Sequence, residues 1–268
     1  MEDGHHVAVV VTRPDRRRGR GGALEPSPVK AAAIDLGLRV TERVDDVIDA
    51  GVELGVVVAF GRLIKPHVLD KVPMVNVHFS LLPRWRGAAP VERAILAGDR
   101  ETGVCIMRLE EGLDTGPVYD REVVAIGEEE TVAQLRDRLV DTGTRLLLRR
   151  LRAGLGEPEA QVGEPTYAAK LDPDELHLDW QLPAVELHRT VRLGRAWTTF
   201  RGKRLLVLRG RLATGGPEPP GSLDGLVVGC GDGGGLELVE VQPEGRGAQA
   251  AAAWRNGARP SPAERLGD

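Results

Sequence analysis

The 268-residue chain is 41% hydrophobic and 28% charged, with a net charge of −4. These values place it among globular proteins long enough to bury one large or two ordinary cores. They exclude a uniformly basic nucleic-acid coat, although not a local basic patch. Aromatic residues make up only 3% of the chain, so its cores must be built from Val, Leu, Ile and Ala. Cys105 and Cys230 lie far apart and fit no metal spacing, which suits a reduced, cytoplasmic setting. No apolar run reaches the roughly 18–20 residues of a membrane span, and the start has no charged-then-apolar leader pattern.

Val7–Val11 is a continuous β-branched run and predicts a strand buried on both faces of a parallel sheet. Residues 12–30 follow, carrying Arg13, Arg16, Arg17, Arg18, Arg20 and Lys30 among Gly19, Gly21 and Gly22. A glycine-interrupted arginine run disfavours a helix and reads as a mobile cationic loop. It is either a solvated surface loop or, given so much charge in an acidic protein, a contact for a phosphate backbone. Ser27-Pro28 predicts a helix start, with the helix running through Ala31–Leu36 to Gly37. A short strand at Arg39–Thr41, a helix through Val44–Ala50, a buried strand at Gly55–Phe60 and a short helix before Pro73 come next. Met74–His78 is the following strand. Strands alternating with helices at this spacing predict an α/β fold with a parallel sheet, in which ligands sit at the carboxyl ends of strands. Pro90–Gly98 then reads as a helix, Val104–Leu109 as a strand, Glu110–Gly116 as a turn and Pro117–Ile126 as a strand. Thr131 and Gln134 predict a capping box for a helix over Val132–Leu151, weakened at Gly143.

Composition changes after Gly154. Gly156, Pro158, Gly163 and Pro165 predict a linker over residues 155–166, between a first domain at 1–154 and a second at 167–268. The second carries a short helix that includes His188–Leu193. Short strands follow at Arg204–Arg209, Gly221–Val228 and Gly235–Val241, which predict a small β-barrel or sandwich. The Ala-rich stretch Ala248–Asp268 is expected to fray.

The stretch Val75–Pro90, VNVHFSLLPRWRGAAP, is hard to explain by packing. Asn76 and His78 alternate on one side of a strand that then breaks into a Pro/Arg/Trp/Gly loop. With Asp114, in the turn after a later strand, they are the candidate catalytic residues. An Asn amide can donate to an oxyanion without changing charge. A His can hold or pass a proton, and a buried Asp can orient it and stabilise its cation. Together they suit acyl transfer to an amine. From spacing alone, a structural role serves each of the three equally well. No G-x-S-x-G occurs and Cys105 sits in an apolar strand, so direct transfer without an acyl-enzyme is the simpler hypothesis. Gly229, Gly231 and Gly234 match G-x-G-x-x-G but precede no helix, and no P-loop occurs, which disfavours a nucleotide cofactor. No His/Cys/carboxylate cluster argues for a metal.

Four strings resemble the methionyl-tRNA formyltransferases. They are SLLPRWRGAAP at Ser80–Pro90 behind Asn76-Val77-His78, EGLDTG at Glu111–Gly116, RPDRRRGRGGALEPSPVK at Arg13–Lys30, and TYAAKL at Thr166–Leu171. The resemblance runs in order along nearly the whole chain. It implies a Rossmann-like formyltransferase domain followed by an OB-like barrel that supports tRNA. It implies formyl transfer from 10-formyltetrahydrofolate, the co-substrate, to the amino group of methionyl initiator tRNA, for translation initiation. Asn76, His78 and Asp114 match the family's catalytic trio. Ser80, Leu81, Leu82 and Pro83 match its folate-binding loop, with Ala59-Phe60-Gly61 and the Glu111–Gly116 turn lining the pterin pocket. The loop of Arg13, Arg16, Arg17, Arg18 and Arg20 matches the loop that meets the tRNA acceptor end. The expected state is a monomer. The alternatives are a related formyltransferase or hydrolase acting on a small molecule, and a truncated RNA-binding form without activity.

Two departures from the family pattern stand out. The family opens with a strand, a Gly-Thr-Pro loop and a helix ahead of the strand seen here at Val7. Without that unit a gap is expected beside Val7–Val11, exposing ladder groups and apolar area. The proline-rich segment of the second domain is reduced to Leu193-Gly194-Arg195 before Ala196-Trp197.

Overall fold

A computed structural model describes residues 4–17, 22 and 24–268. The chain divides into two compact units, one of residues 1–88, 104–122 and 142–166, the other of residues 89–103, 123–141 and 167–268.

The first elements are β1 (Val10–Val11), β2 (Arg16–Arg17), β3 (Leu24–Glu25), α1 (Pro28–Asp35), β4 (Val40–Thr41), α2 (Asp46–Asp49), β5 (Gly55–Val58), α3 (Pro66–Leu69) and β6 (Met74–His78). After a β2–β3 hairpin that the sequence reading leaves as loop, the elements from α1 to β6 alternate as the sequence predicts. Then come β7 (Arg86–Gly87), α4 (Pro90–Ala97), β8 (Glu101–Arg108), β9 (Val118–Ala125) and α5 (Val132–Ala153). Local chemistry sets several boundaries. The Ser27 hydroxyl caps α1 by accepting from the Lys30 amide at 3.1 Å, with Pro28 at the first helical position. Thr131 and Gln134 close the capping box of α5: Gln134 Oε1 accepts from the Thr131 amide at 2.9 Å, and Thr131 Oγ1 accepts from the Gln134 amide at 3.4 Å.

The first unit does not hold one continuous parallel sheet. Among the described residues β1 pairs only with β4, in parallel, while β5, β6, β8 and β9 form a separate four-stranded sheet. Within it β5 and β6 run parallel, but β6 and β8 run antiparallel with His78 opposite Cys105, so the sheet is mixed. An apolar groove of about 1090 Å³ is lined by Val7–Val11 on one side and by Gly55–Val58 on the other. Neither strand is buried on both faces, contrary to the reading of their unbroken apolar runs. Val56 and Val58, which share one face of β5, are 44% and 49% exposed and line the groove. The gap expected beside Val7–Val11 is thus present in the fold. Val47, Ile64 and Met74, which also line the groove, form one apolar cluster with Val68 and Val72, and Leu82, Cys105, Met107 and Val118 form another. Gly143 has a packing role: a Cβ there would press on Val77 and Val104 at 2.9 and 3.2 Å, so the glycine lets α5 lie close on the sheet.

The second unit adds β10 (Tyr167–Ala168), α6 (Ala184–Val191), β11 (Ala196–Phe200), β12 (Lys203–Ala213), β13 (Leu223–Asp224), β14 (Val227–Gly229), β15 (Gly235–Pro243), β16 (Gln249–Ala250) and α7 (Ala251–Ala258). Strands β11, β12, β15, β14 and β13 follow one another in an antiparallel sheet, with β16 on β15. A register shift near Arg209 marks a bulge in β12, which bends the sheet toward a barrel-like form. Its core contains Trp180, Leu187, Phe200, Leu236, Leu238 and Trp254, and the Trp180 indole donates to the buried Thr198 hydroxyl at 3.0 Å. Two readings need correction here. β11 has no counterpart in the sequence reading. The C-terminal stretch does not fray as a whole: α7 buries Trp254, Leu266 is 3% exposed, and the Leu266 and Gly267 amides bond to Gly221 and Thr199 at 2.9 Å.

Candidate active site

Strand β6 delivers Asn76 and His78 to one side at its carboxyl end, as period-two alternation requires. The Asp114 carboxylate meets both. Asn76 Nδ2 donates to Asp114 Oδ1 at 3.5 Å, and His78 Nδ1 lies 3.7 Å from Asp114 Oδ2. The Gly87 amide donates to the same Oδ2 at 2.8 Å. His78 Nε2 sits 3.0 Å from the carbonyl oxygen of Trp85. A carbonyl only accepts, so Nε2 carries the hydrogen and Nδ1 is left facing the carboxylate. His78 and Asp114 side chains are 6% and 12% exposed, so the pair is only weakly screened. The structure therefore brings the three sequence-selected residues together, and it adds Trp85 and Gly87, whose backbone groups complete the cluster.

The backbone around the cluster is unusual. Ala59, Trp85 and Asp114 occupy the left-handed region, with φ of 46°, 62° and 49°. Each such residue costs on the order of 1–3 kcal/mol and persists only where its surroundings over-determine it. The turn bearing Asp114 also depends on its flanking glycines. A Cβ at Gly116 would run into the Arg108 carbonyl oxygen, and one at Gly112 into the Thr115 hydroxyl. That is the physical content of the E-G-L-D-T-G string.

The loop Ser80–Pro83 follows directly, but its side chains differ in what they offer. Ser80 is fully buried and its hydroxyl donates to the Arg84 carbonyl at 2.6 Å. Leu82 is buried against Cys105, Met107 and Val118. Leu81 and Pro83 are half-buried. Phe60 borders the apolar groove, with the Arg62 guanidinium 4.7 Å from its ring centre. Cys105 contributes no nucleophile: burial raises its pKa.

Of the arginine loop, Arg13, Arg16 and Arg17 are exposed, while Arg18 and Arg20 lie outside the described residues. Two short strands stand where a loop is expected: β2 and β3 pair antiparallel, Arg16 opposite Glu25 and Arg17 opposite Leu24. Lys30 is not a free cation. It pairs with Asp15 at 2.7 Å and Glu42 at 3.4 Å, which raise its pKa.

A family profile described as "Formyl transferase" matches residues 1–151, and one described as "Formyl transferase, C-terminal domain" matches residues 170–259. A methionyl-tRNA formyltransferase of Dinoroseobacter shibae is 48% identical, covering 93% of this chain and 88% of that protein. One from Heliobacterium modesticaldum is 43% identical, covering 98% and 93%. Among solved structures, HypX from Aquifex aeolicus in complex with tetrahydrofolic acid superposes with a TM-score of 0.64 at 17% identity, over 84% of this chain and 43% of that one. Methionyl-tRNA formyltransferase from Clostridium thermocellum gives 0.53 at 17% identity, over 65% and 81%. These two show the fold. With identity this high over nearly the full length of its relatives, the chain belongs to the methionyl-tRNA formyltransferase family.

Proposed function

We propose that this chain transfers a formyl group from 10-formyltetrahydrofolate to the α-amine of methionyl initiator tRNA for translation initiation, and that Asn76, His78 and Asp114 carry the step. The observation that supports the residue assignment is the single carboxylate, Asp114, reached by both Asn76 and His78 at the end of β6.

The donor set suits a formyl group. Asn76 offers two amide hydrogens, and only one is directed at Asp114, so the other can stabilise negative charge on the formyl oxygen. The amine gains the formyl carbon and must lose a proton, while the bond from that carbon to the folate nitrogen breaks and the departing nitrogen takes up a proton. His78 Nδ1 is the atom that can hold the amine's proton, since Nε2 already donates to Trp85. A proton on Nδ1 would lie between the imidazole and the Asp114 carboxylate, which stabilises the cation. The Gly87 amide keeps the carboxylate in place while the charge moves. Leu81, Pro83 and the backbone of Ser80–Pro83 would hold the folate, because the Ser80 and Leu82 side chains are committed inward. Arg13, Arg16, Arg17, Arg18 and Arg20 would hold the phosphates of the tRNA acceptor end. No helix among the described residues is long and apolar enough to cross a membrane.

The test is formylation of charged initiator tRNA by the purified protein. Transfer that depends on 10-formyltetrahydrofolate and falls steeply on Asn76→Ala and Asp114→Asn is expected. A near-normal rate in either variant overturns the role assignment. Retention of salt-sensitive tRNA binding after replacement of the arginines, with transfer to a small amine instead, favours the small-substrate reading.

A further inference from the structure

We infer that Gln161, in the 142–166 stretch of the first unit, is a positioning residue that holds the Asp114 turn in its working geometry. The inference rests on the assignment of Asp114 given above.

The Gln161 side-chain amide donates from Nε2 to two backbone carbonyls, those of Asp114 and Gly116, each at 2.8 Å. These carbonyls flank Thr115, so the amide grips the turn on both sides of one residue. Its oxygen is engaged as well. Oε1 accepts from Arg86 Nε at 3.0 Å and from a terminal nitrogen of the same guanidinium at 2.6 Å. Arg86 has only donors, so it fixes which end of the amide faces the turn. The stretch carrying Gln161 is itself anchored, since Glu159 and Val118 exchange backbone hydrogen bonds at 2.8 Å in both directions. Arg86 adjoins Gly87, whose amide binds the Asp114 carboxylate. The grip therefore closes a ring: Arg86 to Gln161, Gln161 to the Asp114 backbone, and the Asp114 carboxylate back to Gly87.

Such a grip answers a specific need. Asp114 has a left-handed backbone at φ 49°, a conformation that must be imposed from outside. No other residue type of this size supplies both an acceptor for the guanidinium and two donors for the carbonyls. Glutamate would set oxygen against both carbonyls.

Gln161→Glu keeps the shape and the Arg86 interaction but removes both donations. It is expected to lower kcat for formyl transfer about 100-fold, the cost of a misplacement near 1 Å, with KM for tRNA unchanged. In an Asp114→Asn background the same change is expected to alter the residual single-turnover rate no more than about twofold, because the two sites act as one unit. Gln161→Lys combined with Arg86→Gln restores donation to the carbonyls without guanidinium repulsion, and is expected to recover rate over Gln161→Glu. Equal losses in both backgrounds, a raised KM at intact kcat, or no recovery in the double variant would overturn the inference. If Asp114→Asn keeps its rate, the reading of the site fails and takes this inference with it. If Asp114→Asn loses its rate and Gln161→Glu does not, only the inference fails.

Discussion

Asp114→Asn separates charge from shape at the centre of the cluster. The amide is nearly isosteric and can still accept the Gly87 N–H through its oxygen. It loses the negative charge 3.7 Å from His78 Nδ1. At that distance a unit charge pair interacts by about 4 kcal/mol at an effective dielectric near 20. Asp114 is 12% exposed, so water screens part of this, and we take roughly half to two-thirds of it as the loss of imidazolium stabilisation. About 2–3 kcal/mol corresponds to roughly 30- to 150-fold in kcat. The assay is single-turnover formylation of charged initiator tRNA with saturating enzyme, alongside tRNA binding and thermal unfolding. The expected outcome is a fall in rate within that range at unchanged tRNA affinity and unchanged unfolding temperature. A rate within threefold of the parent enzyme, or a loss that tracks lost fold or lost tRNA binding, would refute the argument.

Asn76→Ala removes one oxyanion donor and is expected to lower kcat about 10²- to 10³-fold with little change in KM, read by steady-state formylation. Arg16→Ala with Arg17→Ala is expected to weaken tRNA binding while saturating kcat stays put. The salt dependence of binding should flatten by up to about one unit of slope for each phosphate no longer neutralised; filter binding across a potassium chloride series reads this. His188 is buried with Nε2 3.2 Å from a Glu129 carboxylate oxygen, and burial lowers its pKa despite that partner. The folded chain thus prefers the neutral ring. Its stabilisation is present above the ordinary histidine pKa near 6.5 and is lost as pH falls through the lower folded value. Thermal unfolding is therefore expected to drop on going from about pH 7.5 to about pH 5.5, and to drop less in His188→Gln. Equal drops in the two proteins would remove His188 as the cause.

Features governed by neighbours in sequence were readable. The helix start at Ser27-Pro28 and the capping box at Thr131 and Gln134 depend on hydrogen bonds three residues apart. The common direction of Asn76 and His78 depends on strand alternation alone. Apolar runs marked β5 and β6 because a strand that packs must be apolar, but such a run cannot say how many of its edges are paired. The edges of β1 and β5 that are unpaired among the described residues, and the antiparallel step from β6 to β8, are decided by partners elsewhere in the chain. So is the site. Asn76 and Asp114 are 38 residues apart, and Gln161 is 47 beyond Asp114. Gln161 was invisible for a further reason: the Gly and Pro around it give the composition of a linker, and composition reports backbone freedom rather than what one side chain grips. By itself the sequence determined which residues are candidates for the chemistry and where several local elements begin. The tertiary structure decided which carboxylate meets the histidine, which nitrogen of that histidine faces it, and what holds the strained turn. Those are matters of hydrogen-bond geometry between residues that only the fold brings within 4 Å.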